Sequence, residues 1–260
     1  MDLGIAGKTA FVAASSQGLG LACARALLAE GVQVTINGRD DEKLQRVADA
    51  LAHEFPNQNV RYIAADLNTT SGRATIVEVL ADVDILVTNN AGPAPGRLDE
   101  WSDEALLEAF TSNALAAISL IRSFTPGMRR RKFGRIINIT SAMVTSPAYD
   151  MGLSTSARAA LTAISKAISN DVVADNVTLN NLLPERIDTP RQEFMARRFM
   201  ERDGLTYDEA RAKIASTIRA GRMGLPEEFG AACAFLCSVH AGYISGQNLR
   251  LDGGSYGGLI

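Results

Sequence analysis

Short β-rich apolar runs alternate with helical stretches along the chain, and this alternation limits the possible folds more than any other feature. The runs at 8–13, 33–36, 60–64, 85–88, 135–139 and 178–182 predict strands. Between them, 19–30 and 41–54 carry amphipathic helical patterns, the first ended by Gly31. Short apolar strands separated by helices predict a parallel sheet covered on both faces. The expected class is therefore a doubly wound α/β fold, with ligands bound beyond the carboxyl ends of the strands. A length of 260 residues suits one large domain, 1–260, better than two small ones.

The turn after the first strand reads Ala13-Ala14-Ser15-Ser16-Gln17-Gly18-Leu19-Gly20 and runs into a helix. Gly18 and Gly20 sit where backbone must approach a pyrophosphate, and a helix N-terminus holds such an anion by its free N–H groups. Ser15, Gln17, Gly18, Leu19 and Gly20 are the expected phosphate contacts; a tight strand–helix turn without ligand is the alternative. The second strand ends Ile36-Asn37-Gly38-Arg39, with no acid at its tip to bind a ribose 2′-hydroxyl. Arg39 offers a fork for a 2′-phosphate, so NADP(H) is expected rather than NAD. Asp40 and Asp41 are read as caps of the following helix.

Charge and cysteine content narrow the function classes. The 26 Lys and Arg against 29 Asp and Glu give a net charge of −3, which argues against nucleic acid or an anionic membrane as partner. Cys23, Cys233 and Cys237 without a secretory signal suggest a reducing, cytoplasmic setting, and two histidines support no metal site. No apolar run reaches the roughly 18 residues of a membrane span. The segment 188–222 is rich in Arg, Glu and Met and lacks a β-run. It is read as a substrate lid, with Gly204 and Gly221 as hinge points, or as a pair of surface helices.

Together with Asn89-Asn90-Ala91-Gly92 these residues resemble the short-chain dehydrogenase/reductase family, nearest in look to the 3-oxoacyl-acyl-carrier-protein reductases. The resemblance covers nearly the whole chain. It implies that Asp66 and Leu67 flank the adenine ring and that Asn90, Ala91 and Gly92 border the cofactor. By the same resemblance Asn113 holds a catalytic water and Ser141 hydrogen-bonds the substrate carbonyl. Pro184, Ile187 and Thr189 match the segment at the nicotinamide end, and Leu251-Asp252-Gly253-Gly254 the C-terminal signature. A homotetramer, or else a dimer, follows from the same likeness, with 105–121 as an apolar packing face.

Three departures stand out. Ala13-Ala14 replaces the usual Thr-Gly of the cofactor turn. Ser154 and Arg158 occupy the places of the family's Tyr-x-x-x-Lys. Glu185 follows Pro184 where Gly is usual. Arg158 keeps a charge and donors for ribose hydroxyls, whereas Ser154 is a poor acid, and loss of a positioned general acid costs about 10²–10⁴ in rate. Tyr149 is a loop aromatic or a substitute acid; Lys166 reads as surface; Glu185 is a relay or a solvent-facing carboxylate. Three functions stay open: an NADPH-dependent reductase of a small carbonyl or acyl substrate, a non-catalytic NADP-binding sensor or scaffold, and another reaction on the same scaffold.

Overall fold

The structure is a computed structural model that describes residues 1–259. Strands β1 (Thr9–Val12), β2 (Gln33–Gly38), β3 (Val60–Ala64), β4 (Ile85–Thr88), β5 (Gly134–Ile139), β6 (Val177–Pro184) and β7 (Asn248–Leu251) form one parallel sheet in the order β3-β2-β1-β4-β5-β6-β7. The order reverses between β1 and β4, and in such sheets a ligand crevice opens above that reversal. Among the described residues the architecture is the single doubly wound α/β domain that the alternation predicts.

The strands read as near-continuous apolar runs because both faces are covered. Helices α1 (Gly18–Ala29), α2 (Asp41–Glu54) and α9 (Pro226–Cys237) enclose one core, which includes Val12, Leu27, Ile36, Leu44, Phe229 and the three buried cysteines. On the other face α3 (Thr70–Leu80), α5 (Ala116–Arg131) and α6 (Gly152–Val172) enclose Phe11, Leu86, Leu120, Phe124, Ile136 and Leu179. Helix ends follow local chemistry: the Asp40 carboxylate accepts from Lys43 N at 3.0 Å, and Thr69 Oγ1 accepts from Gly72 N at 3.0 Å. A buried polar ladder crosses the apolar sheet. Thr88 donates to Asn138, which donates to Asn181, which donates to Asn248, over 2.6–3.0 Å. Satisfied polar pairs of this kind fix strand register, since a slip would strand each amide.

Helices α4 (Asp103–Phe110) and α5 are joined by a π-helical turn, Thr111–Leu115. The continuous rod Asp103–Arg131 is long and apolar enough to pass for a membrane span by length and composition, which the search for unbroken apolar runs missed. Its apolar residues divide between two faces. Leu120, Ile121, Phe124 and Met128 enter the core, while Leu106, Leu107, Phe110 and Leu115 remain exposed.

The segment 188–222 forms α7 (Pro190–Asp203) and α8 (Tyr207–Ser216), which share a small core of Ala196, Ala210 and Ile214. Its base is clasped. Ile187 pairs with Gly224 in an isolated parallel bridge, and Arg211 forks onto Asp188 at 3.0 and 2.6 Å. Gly204, left-handed at φ 68°, ends α7 at the α7–α8 junction rather than at this base.

Candidate active site

A cleft of about 620 Å³ opens at the carboxyl ends of the strands and takes in both sides of the β1/β4 reversal. Its walls include Gln17, Gly18, Leu19, Arg39, Asp66 and Leu67, then Asn90, Ala91 and Gly92, then Ser141, Ser154, Arg158, Pro184, Ile187 and Thr189. The tips of β2 and β5 are three strand spacings apart, about 14 Å, a span that suits an extended dinucleotide.

The glycine turn is built from backbone. Gln17 precedes α1 without a side-chain cap, so the first N–H groups of the helix face the cleft. A Cβ on Gly20 would lie 2.6 Å from Ala14 O, so this position requires glycine even though Gly20 stands behind the cleft wall. Ala14 adopts φ 44°, a left-handed conformation that costs a residue with a Cβ about 1 kcal/mol. It is held there by Asn37 Oδ1, which accepts from Ala14 N at 3.2 Å, and by Asn89 Nδ2, which donates to Ala14 O at 3.0 Å. Two asparagine side chains thus hold the alanine in this strained conformation.

Ser15 does not line the cleft, which corrects its expected phosphate role. It is fully buried; its hydroxyl donates to Val12 O at 2.6 Å and accepts from Asn37 N at 3.0 Å. Ser16 faces the cleft in its place. Arg39 is exposed at the cleft edge, and among the described residues it forms no ion pair. The Asp66 side chain accepts from Asn68 N at 2.9 Å, and Asn90 donates to Asn68 Oδ1 and Ser112 O, tying these loops together. Free helix N–H groups, a glycine cradle and an unpaired arginine beyond β2 fit the phosphates of NADP(H).

At the other end α6 presents Ser154 and Arg158 one turn apart, both buried. Arg158 Nε donates to Ser154 Oγ at 3.1 Å, and Nη1 donates to Ile139 O and Thr140 O, each at 3.0 Å. Most of the fork is therefore spent on the β5 end and on Ser154, leaving Nη2, beside Gly92, as its free edge. The edge open to a ribose hydroxyl is therefore Nη2 alone. Burial, aided by the nearby charge of Arg191, pushes the Arg158 guanidinium down to about 10. Ser141 caps a short 3₁₀ turn, its Oγ accepting from Met143 N at 3.2 Å, so its own proton remains available to the cleft.

Asn113 lies in the π-helical turn, behind the main cleft rather than in its wall. Its Nδ2 donates to Ser112 Oγ and Ala91 O, while Oδ1 is buried without a protein partner. A cavity of about 10 Å³, near the size of one water, is bordered by Asn113 and Arg158.

Tyr149 is 64% exposed, lies outside the cleft wall and faces the Arg97 guanidinium, which argues against it as a substitute acid. Lys166 reaches Gly246 O from an exposed position, away from Arg158. Glu185 does line the cleft; burial raises its carboxyl above the usual range, against the opposing pull of Arg186. Sequence reasoning missed Met143, Asp150, Met151, Arg191, Phe194 and Met195, all in the wall. For Arg191, Phe194 and Met195 the only signal was the Arg- and Met-rich composition of the segment after β6; Met143, Asp150 and Met151, between β5 and α6, had none.

An α/β domain with a dinucleotide-sized cleft at its topological reversal defines a nucleotide-cofactor class of protein. The family model described as enoyl-(acyl carrier protein) reductase matches residues 13–256. The chain belongs to the short-chain dehydrogenase/reductase family. It is 33% identical over 252 residues to the NADPH-dependent reductase BacG of Bacillus subtilis (strain 168), covering 95% of this chain and 97% of that protein. It is 29% identical over 264 residues to the 3-oxoacyl-[acyl-carrier-protein] reductase FabG of Vibrio cholerae, covering 98% and 99%. L-sorbose reductase from Gluconobacter frateurii, solved with NADPH and L-sorbose, superposes with a TM-score of 0.95 at 31% identity over 100% of both chains.

Proposed function

We propose that this protein is an NADPH-dependent carbonyl reductase whose proton delivery runs through Ser154 and Arg158 instead of a tyrosine and lysine. One observation carries the reading. Ser154 Oγ accepts from Arg158 Nε while Ser141 Oγ accepts from Met143 N, so each hydroxyl has its own proton to give to the same cleft. NADPH supplies the hydride. Ser141 and Ser154 hold the carbonyl oxygen and stabilise the negative charge that grows on it. Ser154 gives its proton to that oxygen and recovers one from water, while Arg158 Nε holds the Ser154 oxygen in place by its hydrogen bond. The water-sized cavity between Asn113 and Arg158 is the place for that water. The free Nη2 edge of Arg158 takes a ribose hydroxyl.

Arg39 sets cofactor choice in this account. Arg39→Ala should weaken NADPH binding by about 10–100-fold, the worth of a charge-assisted hydrogen bond, and should largely erase the preference over NADH. Fluorescence titration with both cofactors reads this. Equal affinity of the unsubstituted protein for the two would remove the 2′-phosphate assignment.

The α7–α8 unit acts as a lid over the cleft, which Arg191, Phe194 and Met195 already border. Its separate small core and its clasp at 187/224 suit motion as a body. Amide exchange across 190–216 should slow when NADPH and substrate are both present; identical exchange with and without them contradicts a lid. The exposed Leu106, Leu107, Phe110 and Leu115, with Ile164 on α6, form the face through which subunits pair toward a homotetramer. Light scattering at micromolar concentration should give the tetramer mass, and a monomer would overturn this assembly.

A further inference from the structure

We infer that the carbonyl substrate carries a carboxylate and that Arg191 receives it; this deepens the reductase reading and rests on it. Arg191 stands in the first turn of α7 and lines the cleft beside the reacting groups. It is half-buried, and among the described residues no carboxylate pairs with it. Its one hydrogen bond runs from Nη2 to Pro93 O at 3.3 Å, just beyond Gly92, and its plane lies 5.3 Å from the Phe194 ring centre. The acids of the cleft are engaged elsewhere or point to other partners: Glu185 lies against Arg186 at 3.8 Å, Asp66 accepts from Asn68 N, and Asp150 faces the charge of Arg202. The charge of Arg191 lowers the Arg158 guanidinium, and burial and then the charge of Arg198 lower that of Arg191, so cations crowd this end of the cleft.

Desolvating two cations together is costly unless an anion joins them. The cofactor phosphates belong at Gly18 and Arg39; Thr189, two residues before Arg191, borders Gly18, whereas the Arg191 side chain itself turns to the loop after Gly92. That orientation, toward Pro93 and the Phe194 ring, assigns the anion at Arg191 to the substrate, and the affinity of Arg191→Gln for NADPH separates it from the pyrophosphate. Met143, Met151, Phe194 and Met195 supply the apolar share of the wall beside Asp150, Glu185 and Gln192, which suits an oxo acid with a short carbon chain, its carbonyl at Ser141 and Ser154 and its carboxylate on the Arg191 fork.

The test pairs each acid with its uncharged counterpart. With NADPH, levulinate should show a KM about 10–100-fold below that of its methyl ester, and Arg191→Gln should collapse this ratio to within about threefold. Independently of turnover, calorimetry on the NADP⁺-loaded protein should show hexanoate binding more tightly than hexanamide, and Arg191→Gln should abolish the difference. If neither oxo compound is reduced but the hexanoate preference persists, the reductase reading fails and the anion site stands. Equal binding of hexanoate and hexanamide overturns the anion site whatever the activity. A loss of NADPH affinity in Arg191→Gln, with the acid preference unchanged, would assign the arginine to the cofactor pyrophosphate and overturn the proposal.

Discussion

Ser154→Tyr combined with Arg158→Lys should raise the single-turnover rate of NADPH oxidation by a small ketone by about 10²–10⁴-fold, the usual worth of a positioned general acid. The two residues sit one turn apart on α6 with side chains in contact, so a phenol and an ammonium would meet there as the present pair does. Gly92 packs closely opposite them, since a Cβ there would lie 3.3 Å from Arg158 Nη2 and 3.7 Å from Ser154 Oγ, so the new ring must extend into the open cleft that Ser154 lines. The lysine gives up one of the two carbonyls now held by Nη1, at Ile139 and Thr140, so a modest loss of stability accompanies the gain. Ser154→Tyr alone should gain less, because the bulky guanidinium stays beneath the ring. An unchanged rate in the double variant, with NADPH affinity intact, would place the proton donor outside this pair.

Ser141→Ala should lower the chemical step by about 10²–10³-fold, as removal of one donor to a developing oxyanion does. Ser154→Ala should cost less, because Arg158 Nε then faces the cleft and can donate to the oxygen directly. NADPH affinity should stay within about threefold in both, since neither hydroxyl lies near the glycine turn. Rapid-mixing absorbance of bound NADPH separates the step from product release. The reverse order of effects would make Ser154 the principal oxyanion donor.

Much of this was legible in the chain because strand period and turn chemistry are local properties. The first six strands announced themselves by apolar β-rich runs, and Asp40 by its position before α2. Strand β7 did not, since Asn-Leu-Arg-Leu at 248–251 lacks such a run and joins the sheet only through its pairing with β6. Arg135 was equally opaque. A charged residue inside a strand predicts exposure, yet it is 1% exposed, donating to Ser238 O, Gly134 O and Asn176 O while its plane stacks on Phe133.

The site divides the same way. Positions fixed by turn geometry, such as Gly18 and Gly20, were readable. Ser15 and Ser16 are identical in type and adjacent, and only the turn decides which one is buried. The use of Arg158's donors and the placement of Arg191 beside Pro93 depend on segments distant in sequence: the end of β5, the loop at 93 and the start of α7. No local pattern could supply those.

The most direct test of the account follows the hydride itself. NADPH deuterated at its transferable position is mixed with the protein and a panel of oxo acids and ketones, and the products are analysed by mass spectrometry. The account predicts one deuterium at the carbinol carbon of at least one product, with one NADP⁺ formed per alcohol. No deuterated alcohol from any carbonyl compound, in a protein that demonstrably binds NADPH, would contradict it and leave a cofactor-binding protein without reductase chemistry.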